Sequence, residues 1–317
     1  MGFTPPTEQS KGCIREVTLG SGDAAVTVGG ETALAFHAFD GEMPHQPAIA
    51  MEVFDTEPEG WPSALTEALG SVLGDPAAWA KACVDEWGAD MVCVQLASTD
   101  PNGADTPPED AAAVVRAVAD AVEVPVLVYG SGNTEKDGEV LKKVAEAVTD
   151  RPLALGPATE DNYKPITAAA LGYGHFVIAE TPIDVNMAKQ LNILITQMGL
   201  DAERVLIDPS TGAVGYGIEY SYTVMERLRL AALAQDDDMT QMPMVGNLGR
   251  EAWRAKEARA GEDEEPAWGD AAKRGVLWEA TAAMTLTMGG ADILIMRHPE
   301  AIGLVRRAFA GLDAGTA

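Results

Sequence analysis

The sequence predicts a (β/α)8 TIM barrel with a small β-rich N-terminal extension. Eight apolar runs alternate with helical stretches from residue 48 onward. The runs consist of Val, Ile, Leu, Ala and Met without polar alternation, as expected for parallel strands buried on both faces. Each run ends in small or polar residues, and the series has roughly the 250-residue span of such barrels. An open doubly wound sheet is the alternative. Gly130-Ser131-Gly132 makes no dinucleotide fingerprint, because Glu135 stands where the third glycine belongs.

Residues 1–47 read as the extension, with strands at Ile14–Leu19 and Ala25–Val28 and a turn at Gly29-Gly30. Residues 48–317 read as the barrel. The first strand is Ala48–Val53, followed by helices Ala64–Leu73 and Pro76–Trp87, the second opened by Asp75 and an N1 proline. Strand Asp90–Leu96 leads to helix Pro108–Val122, strand Pro125–Tyr129 to helix Glu135–Val148, and the short strand Pro152–Leu155 to helix Tyr163–Leu171. His175–Ala179 is the fifth barrel strand. Asp184 is a suitable N-cap for the next helix, with Asp161 and Ser210 well placed for similar duty. Met187, Leu191, Leu194, Ile195 and Met198 recur at the spacing of one buried helix face, and Gly199 stops the helix. Strand Arg204–Ile207, helix Ile218–Ala234 and strand Pro243–Val245 follow. An excursion at 248–269, partly helical at Arg250–Arg259, precedes helix Asp270–Met288, strand Asp292–Met296 and helix Pro299–Phe309. Trp253, Trp268 and Trp278 would pack the excursion on the barrel or offer an apolar patch to a partner.

The chain has 49 acidic and 22 basic residues, a net charge of −27. That repels phosphate backbones and argues against nucleic acid as a partner. The excess fits either a salt-rich cell interior or plain solubility. Three separated cysteines, Cys13, Cys83 and Cys93, include no C-x-x-C pair and so suggest neither a cluster, a zinc site nor a disulfide framework. No apolar run reaches the roughly 18 residues of a membrane span, and residues 1–12 lack a signal core; both point to the cytoplasm.

In a barrel the working face lies at the carboxyl ends of the strands. There the sequence places Glu52, Asp55, Ser98 to Asn102, Ser131, Asn133, Thr159 to Asn162, Glu180, Thr181, Asp208 to Thr211, Asn247, Arg297 and His298. Helix capping accounts for about half of these. His298 is the one histidine placed for a functional role, and His175 reads as structural. Glu52, Glu180 and Asp208 could hold a hard divalent ion for a lyase or aldolase, a reading with only fold analogy behind it.

Several segments are familiar as a set. They are Ile14-Arg15-Glu16-Val17-Thr18-Leu19-Gly20, Ala48 to Val53, Asp208-Pro209-Ser210-Thr211-Gly212 and Gly217-Ile218-Glu219-Tyr220. With them go Arg250-Glu251-Ala252-Trp253-Arg254-Ala255-Lys256-Glu257, Trp268-Gly269-Asp270, Arg274-Gly275-Val276-Leu277-Trp278-Glu279 and Met296-Arg297-His298-Pro299-Glu300-Ala301. From Ile14 onward the chain resembles the small subunit of the corrinoid iron–sulfur protein, the family that in archaea is the delta subunit of acetyl-CoA decarbonylase/synthase. The resemblance implies a barrel related to methyltetrahydropterin methyltransferases, paired with a large subunit that carries a [4Fe-4S] cluster and a corrinoid (cobalamin) domain. It further implies a corrinoid shared across the barrel mouth. Methyl groups would pass from a methyltetrahydropterin methyltransferase to acetyl-CoA synthase in the reductive acetyl-CoA (Wood–Ljungdahl) pathway. The absence of cluster cysteines and of a D-x-H-x-x-G axial-histidine motif agrees with this. Strand-end position and the family geometry together nominate Asp100, Asn102, Ser131, Asn133, Glu180, Thr181, Ser210, Thr211 and Gly212 for binding the corrin or placing the methyl donor. A pterin-dependent methyltransferase acting in its own right is the alternative.

Overall fold

The computed structural model describes residues 6–7, 9–37 and 39–315; residues 1–5, 8, 38, 316 and 317 of the expected 1–47 and 48–317 segments lie outside the described residues. Eight parallel strands form one sheet: β3 (Ala48–Phe54), β4 (Met91–Gln95), β5 (Val126–Tyr129), β6 (Leu153–Ala158), β7 (Phe176–Glu180), β8 (Val205–Asp208), β9 (Val245–Asn247) and β10 (Ile293–Met296). Their spatial order is β8-β7-β6-β5-β4-β3-β10-β9. A parallel bridge between Ile207 and Met244 brings the two edges together, and Ile207 N–H donates to Pro243 O at 2.9 Å. The sheet is therefore a ring, which excludes the open doubly wound alternative.

Side-chain parity sorts the core. Ile49, Met51, Val53, Val92, Val94, Val126 and Val128 face outward against the helices. Ala50, Met91, Cys93, Leu127, Ile178, Leu206 and Ile295 fill the lumen. The antiparallel pair β1 (Val17–Leu19) and β2 (Val26–Val28) adds Val17, Leu19 and Val28 to that lumen cluster. It closes the amino-terminal end of the barrel, where Gly20 lies against Pro125 and Arg15 N–H donates to Gln241 O at 2.8 Å. Beneath it, buried Glu31 meets Asp292, which pairs with buried Arg229.

The helices are α1 (Ser63–Leu69), α2 (Pro76–Asp85), α3 (Pro108–Ala121), α4 (Thr134–Ala147), α5 (Tyr163–Tyr173), α6 (Val185–Gln197), α7 (Ile218–Ala234), α8 (Gly249–Arg254), α9 (Lys256–Arg259), α10 (Ala271–Gly289) and α11 (Pro299–Gly315). Asp75 and Asp184 cap α2 and α6 by accepting from first-turn N–H groups. Asp161 caps nothing, because Asn162 ends the loop and accepts from Thr159 N–H at 2.7 Å. Ser210 sits at φ +65° and accepts from Gly212 N–H instead of capping a helix. The buried face of α6 is Ala188, Leu191, Asn192 and Ile195; Met187 is 39% exposed, turned toward the mouth. His175 is fully buried, its Nδ1 accepting from Leu153 N–H at 3.0 Å, as a structural residue should be. No helix among the described residues is long and apolar enough to cross a membrane.

Candidate functional site

The inward parity of the lumen turns polar in its uppermost layer. Glu52 ends the inward row of β3, Gln95 that of β4, Tyr129 that of β5, Glu180 that of β7, Asp208 that of β8 and Asn247 that of β9. Parallel register puts Gln95 beside Tyr129 and Glu180 beside Asp208. Tyr129 donates its hydroxyl to Asp208 Oδ2 at 2.8 Å, and Asp208 Oδ1 accepts from Ser210 N–H at 3.0 Å. Burial, with the neighbouring Asp208 charge second, pushes the Glu180 carboxyl well above the usual range. Burial likewise raises Asp208, opposed by the bonds from Tyr129 and Ser210. Two adjacent carboxyls in low dielectric cannot both ionise cheaply, so the pair retains a proton near neutrality.

The other side of the layer is a cation on an aromatic bed. Arg297 follows β10, is buried, and pairs through Nε with Glu52. Its guanidinium lies 4.5 Å from the Trp61 ring centre and 5.2 Å from that of Phe54. Glu279 of α10 fixes this corner. Its carboxylate accepts from Arg297 N–H at 2.5 Å, His298 N–H at 3.1 Å and the Trp253 indole at 2.8 Å. Burial still raises it to about 7. His298, expected to be functional, stacks on Trp253 with centroids 5.6 Å apart and caps α11 by accepting from Glu300 N–H. These contacts are packing and capping ones. Trp253 is 2% exposed and anchors the excursion, whereas Trp268 is 40% exposed between Lys256 and Arg274.

Two clefts open over the layer. The larger, about 680 Å³, lies above β6 to β8 and is lined by Glu180, Thr181, Ser210, Thr159, Asn186 and Met187. The smaller, about 430 Å³, lies above β3 to β5 and is bounded by the excursion; Trp61, Asp100, Ser131, Arg250, Arg254 and Arg297 line it. The nominated residues thus divide. Glu180, Thr181 and Ser210 share one cleft, and Asp100 and Ser131 share the other. Asn102, Asn133, Thr211 and Gly212 line neither. Asn102 donates to Asp100 Oδ1 in a local turn, and Asn133 caps α4 at Lys136 N–H. Thr211 is buried and donates to Asn247 O. Ser131 is itself held by Asp137, whose Oδ1 accepts both its N–H and its hydroxyl. Glu52, Glu180 and Asp208 do not assemble as a metal triad: Glu52 belongs to Arg297 and Asp208 to Tyr129. Among the described residues no group of three or more His, Cys, Asp or Glu is arranged to hold a metal ion.

Residues 16–306 match the family described as CO dehydrogenase/acetyl-CoA synthase delta subunit. The chain belongs to that family. The acetyl-CoA decarbonylase/synthase complex subunit delta of Archaeoglobus fulgidus is 40% identical over 319 residues, covering 97% of this chain and 70% of that protein. Its counterpart in Methanopyrus kandleri is 40% identical, covering 96% and 76%. In solved structures the delta-subunit fold is similar to dihydropteroate synthases. The Thermus thermophilus enzyme in complex with 6HMPPP aligns at TM-score 0.56 and 15% identity over 89% of this chain and 98% of that one. The Xanthomonas albilineans enzyme in complex with 7,8-dihydropteroate aligns at TM-score 0.52 and 16% identity, covering 89% and 99%. These likenesses establish the barrel.

Inspection of strand ends overlooks three groups in this delta-subunit member. Tyr129 and Gln95 look like strand residues, yet parity counted back from Glu180 and Asp208 would have turned them inward. Arg250 and Arg254 sit in an excursion that reads as surface. Glu279 lies mid-helix, one of many acids, with no local signal of its burial.

Proposed function

We propose that this chain serves as the delta subunit of an acetyl-CoA decarbonylase/synthase-type complex, its mouth lying over a corrinoid held by a large, cluster-bearing partner during methyl transfer. The observation that carries the reading is the family match over residues 16–306. The mouth has the chemistry a corrin periphery of amides needs. Thr181 Oγ1 and Asn247 Oδ1 are buried there without hydrogen-bond partners among the described residues. The loops above β7 and β8 and the first turns of α6 and α7 expose Ile183, Met187, Tyr216 (92%) and Tyr220, apolar surface suited to a partner.

A corrinoid would supply cobalt as the methyl acceptor and donor. This chain's own residues would exclude water and bond the ring's periphery. Thr181 would donate, Asn247 would accept through Oδ1, and the apolar rim would seal the edge. Mixing the full chain with a corrinoid-loaded large subunit from a relative should give a 1:1 complex by size exclusion and a perturbed corrin absorption spectrum. Absence of association at tens of micromolar would overturn the reading.

The Glu180–Asp208 pair favours a second task at the same mouth, handling of the methylated pterin. The similar barrels of the synthases are described with pterin-type ligands. A carboxyl that keeps its proton near neutrality can donate it to a pterin ring nitrogen, which must gain a proton as it gives up a methyl cation. Glu180→Gln should slow methyl transfer from methyltetrahydropterin more than it weakens pterin binding; equal rates would discard this task.

A further inference from the structure

We infer that the excursion is an anion clamp: Arg250, Arg254 and Arg259 hold a phosphate or carboxylate group on a ligand whose ring system occupies the mouth. This rests on the proposed reading for the ring, while the clamp itself stands on charge and geometry.

The chain has only 22 basic residues against 49 acidic ones. Four arginines nevertheless line the 430 Å³ cleft: these three and Arg297. Arg297 is already spoken for, paired with Glu52 over Trp61. The other three are under-matched. Arg250 and Arg254 both lean on a single carboxylate oxygen, Glu251 Oε1, at 3.6 and 3.5 Å. Those lengths leave the guanidinium forks largely open, since a bidentate pair closes to roughly 2.8 Å. Arg259 has no ion-pair partner among the described residues. The acids on the cleft wall are Glu59 and Asp100, and Asp100 is partly occupied by Asn102. Solubility does not explain the arrangement, because this protein obtains its solubility from acids.

The frame is rigid. Arg250 and Arg254 are one turn apart on α8, so they share a side of it. Trp253, beside them on the same short helix, is buried against the barrel, held by Glu279 and His298 and packed so closely on Gly275 that a Cβ there would lie 2.6 Å from its ring. Lys256–Glu265 and the Arg274 bond to Ala260 O, both 2.5 Å, fasten the far end. The fixed frame sets where the arginines leave the backbone, and each fork matches two oxygens of a phosphate or carboxylate. The Arg250-to-Glu257 motif then has a physical purpose: Trp253 is the anchor and the arginines flanking it are the grip.

Either ring system could carry the anion, as the tail of a reduced pterin or as the nucleotide-loop phosphate of a corrinoid. Titration calorimetry on the full chain at low salt begins with inorganic pyrophosphate as the probe. The wild type should bind it, and Arg250→Gln/Arg254→Gln/Arg259→Gln should weaken binding by about tenfold or more without moving the melting temperature, because these side chains are exposed. The corresponding triple lysine variant should retain part of the affinity. Methyltetrahydrofolate triglutamate against the monoglutamate, and cobalamin against cobinamide, then locate the source. Whichever preference the glutamine variant loses identifies the anion. Pyrophosphate binding absent in the wild type, or unchanged within twofold in the glutamine variant, would overturn the clamp. Pyrophosphate bound normally while neither ring system binds would leave the anion clamp standing and discard the ring-bearing ligand; failure to associate with the corrinoid-loaded large subunit remains the separate result that sinks the proposed function.

Discussion

At the scale of single residues, the mouth is built from carboxyls that prefer their protons. Burial raises Glu180 to about 8 and Glu279 to about 7. A carboxyl raised in the fold adds stability that is complete below its unfolded value, near 4.5, and is lost as pH climbs through the folded one. The melting temperature should therefore fall between about pH 5 and pH 8.5. Glu180→Gln, neutral throughout, should flatten that fall and stabilise the protein at pH 8.5 by about 1–2 kcal/mol. An unchanged fall in the variant would show that Glu180 ionises at its ordinary value. Tyr129→Phe tests the neighbouring bond. It removes the 2.8 Å donor to Asp208 and should cost about 1–3 kcal/mol, with a larger penalty at high pH, where the carboxylate has lost a charge-assisted partner. Urea unfolding at pH 6 and pH 8.5 measures both.

At the scale of elements, the excursion depends on one side chain. Trp253 is buried, bonded to Glu279 and stacked on His298. Trp253→Ala should cost about 3–5 kcal/mol and open residues 254–265 to protease; resistance equal to wild type would mean the acidic loop is fastened elsewhere. Elements were the most legible level of this chain, because type follows from local pattern. Helix Ile218–Ala234 has the boundaries read from the sequence, and Gly199 ends α6 at φ +100°. Misplaced ends have specific causes. The seventh barrel strand begins at Val245 and not Pro243, since Pro243 has no N–H and Met244 N–H goes to the Asp292 carboxylate at 2.5 Å. The fourth runs on to Ala158 because Gly156 lets the chain pass beside Ile178, with a register shift there. Met187 obeys the apolar spacing of α6 yet faces a cleft, since periodicity marks a face without saying what covers it. The site was less legible for the same reason. Strand ends locate the mouth, but which groups meet across it depends on register between strands distant in sequence, as Tyr129 and Asp208 show.

At the scale of the whole molecule, 49 acids face 22 bases, and 22 positive charges cannot pair them all. The ion pairs along the surface, such as Lys81–Asp85 and Lys256–Glu265, are largely exposed and contribute little, because water and salt screen them. Salt acts on both sets. It weakens those pairs, and it screens the repulsion among the 27 negative charges in excess, some of them in stretches such as Glu262-Asp263-Glu264. Unpaired acids outnumber pairs, and the Debye length shrinks from roughly 10 Å at 0.1 M to roughly 3 Å at 1 M, so relief of repulsion should win. The buried Arg229–Asp292 and Arg297–Glu52 pairs are shielded from solvent ions and should hold at every concentration. The melting temperature should rise by several degrees between 0.05 and 1 M KCl, mostly below about 0.5 M, where screening changes fastest. Chloride is the suitable salt, because sulfate also strengthens apolar burial and would lift any protein. A flat or falling curve would mean the acids are spaced widely enough for water alone to insulate them, leaving solubility as their purpose. A rise continuing undiminished beyond 1 M would exceed what screening supplies and mark a surface adapted to a salt-rich interior.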